Sequence, residues 1–537
     1  MTDRAKLMAE KFVVVFKALQ ENRLTDWFLN LYNRRRYKWT NINVKDRDMM
    51  KDLKQYEFWF ITGSQQLYGA ETLARVAEHS QEMAGELDHS LCGRLVYKGV
   101  MTTPEEITRL IKEANFDDRC AGIITWMHTF SPSKMWINGL KILHKPMLHF
   151  HTQYNRELPF ETIDMDFMNL NQAAHGDREH GFIGARLRLP RKVVVGYWKD
   201  TEVTAKISDW MRSAVGIAAG KALKVVRFAD NMREVAVTEG DKVEAQIKLG
   251  WAVNSVALGD LVAEMATVAE SEIERVFHEY QRRYEIITPK IDAVKYQIRI
   301  EIAIRKICVA NGFDAIVTCF ENLWGLEQLP GLACQSLMAD GYGFGAEGDW
   351  KTAALLRVMK VMETGLSGGS TFMEDYTYHW ENGNELVLGS HMLEVDPSVA
   401  QGPVKIDAQP LGIGGKADPA RLVFTGHAGQ AITASLVDMG GRMRLIVADV
   451  EAVEPIADMP KLPVARVMWR PLPDFATSAE AWILAGGAHH NVFSYALTAA
   501  VMRDFAELAG IEFVHIGAQT DIETLKRDLV LSDLIWR

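Results

Sequence analysis

Residues 58–87 read FWFITGSQQLYGAETLARVAEHSQEMAGEL. The apolar run 58–62 predicts a buried strand, the GSQQLYG that follows predicts a loop, and a helix is expected from about Glu71 to Leu87. A short, near-continuous apolar strand leading into a helix is the building unit of a parallel sheet covered on both faces. The unit recurs downstream: a strand at 95–98, then Thr103-Pro104-Glu105-Glu106. There Thr103 serves as N-cap, Pro104 takes the first turn and Glu106 closes a capping box. A strand at 122–126, a helix around 135–143 and a strand at 147–150 extend the series.

A second series begins near residue 193. It comprises a strand at 193–198, a long helix at 201–220, a strand at 225–228, helices at 241–249 and 291–311, and a strand at 315–320. Helices at 330–339 and 348–362 close it, the last with a strong 3.6-residue apolar period. After about Gly368 the pattern changes to short alternating segments such as ELVLGSHMLEV, QAITASLVDMG and RMRLIVADVEAV, divided by Gly, Asp or Pro. That is the pattern of a β-rich domain. A helix–strand–helix (501–508, 513–516, 524–529) ends the chain.

The expected fold class is therefore α/β: two doubly wound parallel-sheet domains followed by a β-rich, barrel-like C-terminal domain. The expected divisions are a basic N-terminal extension at 1–50, an N-terminal α/β domain at 51–222, a central α/β domain at 223–367 and the β-rich domain at 368–537. A chain of 537 residues is too long for one core and suits about three. The extension carries Arg34-Arg35-Arg36 and runs into Met49-Met50, which reads as an ancestral start. Its apolar VVVF is too short for a signal peptide.

Composition excludes several function classes. With 48% hydrophobic and 24% charged residues and a net charge of −10, the chain lacks the basic balance of a nucleic-acid binder. No apolar run approaches the roughly 20 residues that span a bilayer. Cys92, Cys120, Cys308, Cys319 and Cys334 form no C-x-x-C pair, which predicts reduced thiols and a cytoplasmic location.

Four distant segments each carry one oxygen or nitrogen donor beside small or rigid residues: Glu347 in GAEGDWKTA, Glu374 in TFMEDYTYH, His391 in LGSHMLEV and His490 in AGGAHHNVF. Two carboxylates with two imidazoles suit Mn²⁺, Co²⁺ or Mg²⁺ better than a thiolate-seeking ion. Taken singly, each has an ordinary reading. Glu347 is a carboxylate at a helix N-terminus, Glu374 a surface acid on a strand, and His391 a lone strand histidine. His489-His490 on a small-residue turn is more suggestive. The stretch Gly343–Gly348 matches G-x-G-x-x-G, but a helix precedes it and no acidic residue follows at the right distance, so no nicotinamide cofactor is expected. The glycines instead let the backbone pack closely and present Glu347 at the mouth of a sheet.

Read together, GSQQLYG, TFSPSKMWINGL, DMDFMNLNQAAHG, FADNMREVAVTEGDKV, EQLPGLACQSLMADGYGFGAEGDWKTAALLRVMKVM, STFMEDYTYHW, LGSHMLEV, LGIGGKADPARL, PKLPVAR and SAEAWILAGGAHH resemble the signature blocks of the L-arabinose isomerase family, in the family's order. The resemblance runs from about Tyr56 to near the C-terminus. It implies a fucose-isomerase-like architecture and one divalent metal per subunit, most often Mn²⁺ with Co²⁺ or Mg²⁺ as substitutes. The implied ligands are Glu347, Glu374, His391 and His490, with the two glutamates as acid/base pair. Implied sugar contacts are Gln65, Tyr68, Gln172, His175, Met232, Phe320 and Ile413.

The resemblance also implies conversion of L-arabinose to L-ribulose, D-galactose as a side substrate, and a homohexamer with pockets near subunit boundaries. Asp396 stands where many family members carry a cysteine, Gln66 varies within SQxLYG, and the extension has no counterpart. Two rival readings are an isomerase of another aldose, of the L-fucose type, and a non-catalytic sugar-binding protein. The two-Glu, two-His set argues against the second, since a binder has no need of it.

Overall fold

The structure, a computed structural model, describes residues 52–536; the segment 1–50 read above as an extension lies outside the described residues. The first sheet holds five parallel strands, β1 (Glu57–Gly63), β2 (Arg94–Met101), β3 (Cys120–Met127), β4 (Met147–His151) and β5 (Lys192–Val195), in the order β2-β1-β3-β4-β5. Every residue of β1 and β3 is buried, as the apolar runs demand for central strands. Strand order reverses between β1 and β3, which opens a crevice at their carboxyl ends. The loops leaving the two strands are joined there by Ser64 Oγ and Thr129 Oγ1 at 2.7 Å.

The second sheet is parallel too, with β6 (Lys224–Phe228), β7 (Ala252–Val256), β9 (Ala315–Val317) and β10 (Gly343–Gly345) in the order β10-β9-β6-β7. Between them in sequence, β8 (Glu285–Ile286) leaves this sheet and pairs with β13 (Ala400–Ala408) of the third. The third sheet adds β11 (Ser370–Glu381), β12 (Asn384–Ser390), β14 (Ala420–Gly426), β15 (Gly429–Asp438), β16 (Met443–Val453), β17 (Arg466–Pro471), β18 (His490–Ser494) and β19 (Glu512–Ile516). Its order is β19-β16-β15-β18-β11-β12-β17-β14-β13-β8, and β16 also pairs with β17. That extra pairing closes β16-β15-β18-β11-β12-β17 into an antiparallel ring, so the β-rich region is a barrel with strands appended.

Three elements are shorter than expected. The helix around 135–143 is a 3-10 turn, Ser133–Trp136, followed by one helical turn, Ile137–Leu140. β5 stops at Val195 because Gly196 takes φ 145°, and β9 stops at Val317 before a 3-10 turn over Phe320–Asn322. Thr103 does cap the helix Pro104–Phe116, accepting from Glu106 N at 3.3 Å. The Glu106 carboxylate reaches Thr102 N at 3.1 Å, one residue beyond the cap.

The helix Thr201–Gly220 binds the first domain to the rest. Arg212 donates to the carbonyls of Met362 and Thr364, each at 2.8 Å, and Ser213 Oγ donates to Val501 O at 2.9 Å. A buried cationic fork with its donors placed on carbonyls is costly to remove and so pins the interface.

His128, just past β3, is fully buried and stacks on Trp126 at 4.6 Å. Burial, and secondly His79 beside it, push its pKa down to about 3. An unfolded chain titrates this imidazole near about 6.5, so the stability it contributes is complete above that value and drains away as pH falls. The slope is up to about 1.4 kcal/mol per pH unit. His128→Asn is expected to flatten the acid limb of the unfolding midpoint against pH between about 6.5 and 4.5; an unchanged slope would clear His128 of that role.

Candidate active site

Cross-strand register explains how donors far apart in sequence come together. In the barrel β11 lies between β12 and β18, and Glu374 stands opposite Ser390 on one side and His490 on the other. Adjacent strands lie about 4.8 Å apart, so one carboxylate meets both neighbours. His391 follows the last residue of β12; it caps the strand's end instead of lying within it. Its Nε2 is 4.0 Å from Glu374 Oε2, and the rings of His391 and His490 have centroids 5.9 Å apart. Phe372, two residues before Glu374, sets its ring edge-on to both, at 5.0 and 4.9 Å.

Glu347 arrives from the other side, in the turn between β10 and the helix Trp350–Met362. The first two glycines of GFGAEG lie in a strand, so the segment is no phosphate loop. Gly345 packs against the Asp349 carbonyl with no room for a Cβ. Gly348, at φ 88°, has the Asn231 backbone against it. Glu347 itself adopts φ 56°, unusual for a side chain of its size. The turn is held by Met232 N donating to Glu347 O at 3.0 Å and Gly348 N donating to Thr318 O at 2.9 Å. Glu347 Oε2 then lies 3.8 Å from His490 Nε2 and 3.5 Å from His489 Nε2.

The donor spacing fits a cation. His391 Nε2 and His490 Nε2 are buried and have no hydrogen-bond partner among the described residues, although carboxylates face them. A direct imidazolium–carboxylate bond would close to about 2.8 Å. Two donors sharing one ion at about 2.1 Å each lie roughly 3–4 Å apart. The pairs His391–Glu374, His490–Glu347 and His489–Glu347 have that spacing, at 4.0, 3.8 and 3.5 Å. Among the described residues the tightest such group is Glu347, His489 and His490, with three donor atoms within 4.8 Å of one another; the expected ligands Glu374 and His391 lie outside it.

The carboxylates and imidazoles also set one another's charge. The His489 imidazole, against burial, holds the Glu347 carboxyl below its ordinary range. Burial lowers the pKa of His490 and keeps it neutral. Burial acts the same way on His391, but the carboxylates of Glu394, Glu374 and Glu347 together outweigh it and raise the pKa. Next to the cluster, burial lifts the Asp375 carboxyl to about 7, despite a bond from Asn491.

The expected sugar contacts divide. Met232 and Phe320 belong with the cluster, Phe320 stacking over His391 with centroids at 6.0 Å. Gln65, Tyr68, Gln172 and His175 gather instead at the crevice of the first sheet. There Tyr68 Oη donates to Gln172 Oε1 at 3.5 Å, and His175 packs on Phe130 at 4.7 Å. Among the described residues no hydrogen bond, ion pair or ring contact joins this group to the cluster. Ile413 is exposed in the loop whose Lys416 ties it to the carbonyls of Leu323 and Leu326.

Sequence reasoning singled out His490 and passed over His489 as a donor, and it passed over Asp349 and Glu394 behind the histidines. The i to i+3 spacing of His391 and Glu394 was the available signal.

Three sequence profiles match the chain: L-arabinose isomerase N-terminal domain over residues 52–222, central domain over 224–365 and C-terminal domain over 369–512. The L-arabinose isomerase of Geobacillus stearothermophilus is 56% identical over 496 residues, which cover 91% of this chain and 100% of that protein. That of Thermotoga petrophila is 56% identical over 493 residues, 91% of this chain and 99% of its own. The Thermotoga maritima enzyme is 55% identical over 493 residues, with the same shares. With its parallel sheets, its closed barrel and these relatives along nearly its whole described length, the chain belongs to the L-arabinose isomerase family.

Proposed function

We propose that the protein converts L-arabinose to L-ribulose, with D-galactose as a slower substrate, at the cluster of Glu347, Glu374, His391 and His490. The observation that carries this is the pair of buried, unpartnered Nε2 atoms facing two carboxylates. A divalent cation held by these four residues, Mn²⁺ by preference, supplies Lewis-acid stabilisation of enediolate charge when bound. The chain's own residues do the rest. One glutamate takes the proton from C2 and returns it to C1, while the other carries the hydroxyl proton between O2 and O1. Phe320 and Phe372 wall the cluster and limit water. His391 and His490 complete the donor set as neutral imidazoles.

The enzyme works as a homohexamer in the cytoplasm. Exposed Leu67, Phe160, Met165 and Met168 near the group of Gln65, Tyr68, Gln172 and His175 support a subunit contact there. Across it the group faces the cluster of a neighbouring copy. Among the described residues no helix is long and apolar enough to cross a membrane.

The test is chelation. Exhaustive treatment with EDTA is expected to reduce L-ribulose formation to background, and added Mn²⁺ to restore it, with Co²⁺ or Mg²⁺ as comparisons. Undiminished turnover by rigorously metal-free protein would sink the proposal.

A further inference from the structure

Each histidine of the cluster turns its second ring nitrogen away, onto a buried carboxylate. We propose that Glu394 and Asp349 are positioning residues, which fix the tautomer and aim of His391 and His490 towards a cation, with Glu394 the stronger of the two. The proposal rests on reading the cluster as a divalent-cation centre.

His391 Nδ1 lies 2.6 Å from Glu394 Oε2, and both side chains are only 1% exposed. Glu394 is itself held, accepting from Leu393 N at 3.1 Å, with the buried Arg421 guanidinium close enough for its field to act. An ionised carboxylate can only accept, so the imidazole proton sits on Nδ1. The Nε2 lone pair is thereby left facing Glu374, at 4.0 Å. Leaving a buried acceptor unmade costs free energy. The protein nevertheless locks the ring in that orientation, as it would to serve a ligand outside its own atoms.

His490 has the same arrangement in looser form. Its Nδ1 is 3.2 Å from Asp349 Oδ2. Asp349 also accepts from Thr352 Oγ1 at 2.7 Å and lies 3.6 Å from Lys351 Nζ. That longer bond, to a carboxylate shared with Thr352 and Lys351, constrains its imidazole less tightly than the 2.6 Å bond to Glu394. Asp349 also caps the helix Trp350–Met362, so Glu394 is the cleaner probe.

Mn²⁺ is titrated into metal-stripped full-length protein, with free ion read by electron paramagnetic resonance and folding checked by circular dichroism. Unaltered protein is expected to bind one ion per chain, and His391→Ala to lose that site. Glu394→Gln, which keeps the size and an accepting oxygen but removes the charge, is expected to raise Kd about 10–100-fold. Asp349→Asn is expected to raise it less. Glu301→Gln removes a buried carboxylate elsewhere, the one accepting from Tyr280; it should lower the unfolding midpoint and leave the Mn²⁺ Kd alone.

An unchanged Kd in folded Glu394→Gln overturns the positioning role. So does an equal rise in Glu301→Gln, which would mean general loosening. If Glu394→Gln does not fold, an unchanged Kd in Asp349→Asn overturns it. A larger rise in Asp349→Asn than in Glu394→Gln overturns the ranking. Absence of saturable Mn²⁺ binding by the unaltered protein overturns the underlying centre instead.

Discussion

Glu374→Gln is expected to lower kcat on L-arabinose by about 10²–10⁴-fold, the usual worth of a positioned acid or base. Glutamine preserves shape, and the backbone of β11 keeps its pairing with both β12 and β18. The side chain is 22% exposed, so the loss of charge leaves no unpaired buried ion and the fold should survive. Because the same carboxylate faces His391, metal affinity is expected to weaken too. Measuring kcat at saturating Mn²⁺ separates the two effects. A variant that is folded, fully loaded and still near its original rate would remove Glu374 from the acid/base pair.

The second large effect is on stability. Lys360 Nζ lies 2.6 Å from Asp396 Oδ2, with the two side chains 4% and 0% exposed. Asp396 is further held by a bond from Ser398 N at 2.7 Å. The pair ties the helix that begins just after Glu347 to the segment that begins with His391. Lys360→Met leaves the buried Asp396 carboxyl without its cation, a situation that costs about 3–5 kcal/mol. Replacing both residues, as Lys360→Met with Asp396→Leu, is expected to recover most of that loss, because a well-packed apolar pair often equals a buried ion pair. Chemical denaturation midpoints for the two single variants and the double variant test this. Equal loss in the single and double variants would mean that packing, not charge, governs the site.

The first parallel sheet was legible because a strand buried on both faces must be largely apolar, as 58–62 and 122–126 are; in the second, the short β7 and β10 were not expected, and the strand at 193–195 joined the first sheet instead. The barrel's closure was not. Nothing local to 443–453 announces that β16 pairs with β15, β17 and β19. Nor could a two-residue strand at Glu285–Ile286 be seen before its partner was known. The four donors were found by motif resemblance; their convergence depends on strand register, which no single segment encodes. His391 was expected on a strand because Leu388-Gly389-Ser390 is one, yet the strand ends there and frees the imidazole to turn inward. The expected contact residues split between two places because neither sequence order nor motif identity says which loops of the two sheets the fold brings together.

Glu374, His391 and His490 stand on the barrel, whereas Glu347 rides on a turn of the central sheet. Any ion gripped by all four would therefore rivet two sheets that already share one hydrophobic core. Its loss would then loosen the seam where the turn carrying Glu347 meets the barrel, as well as emptying the proposed centre.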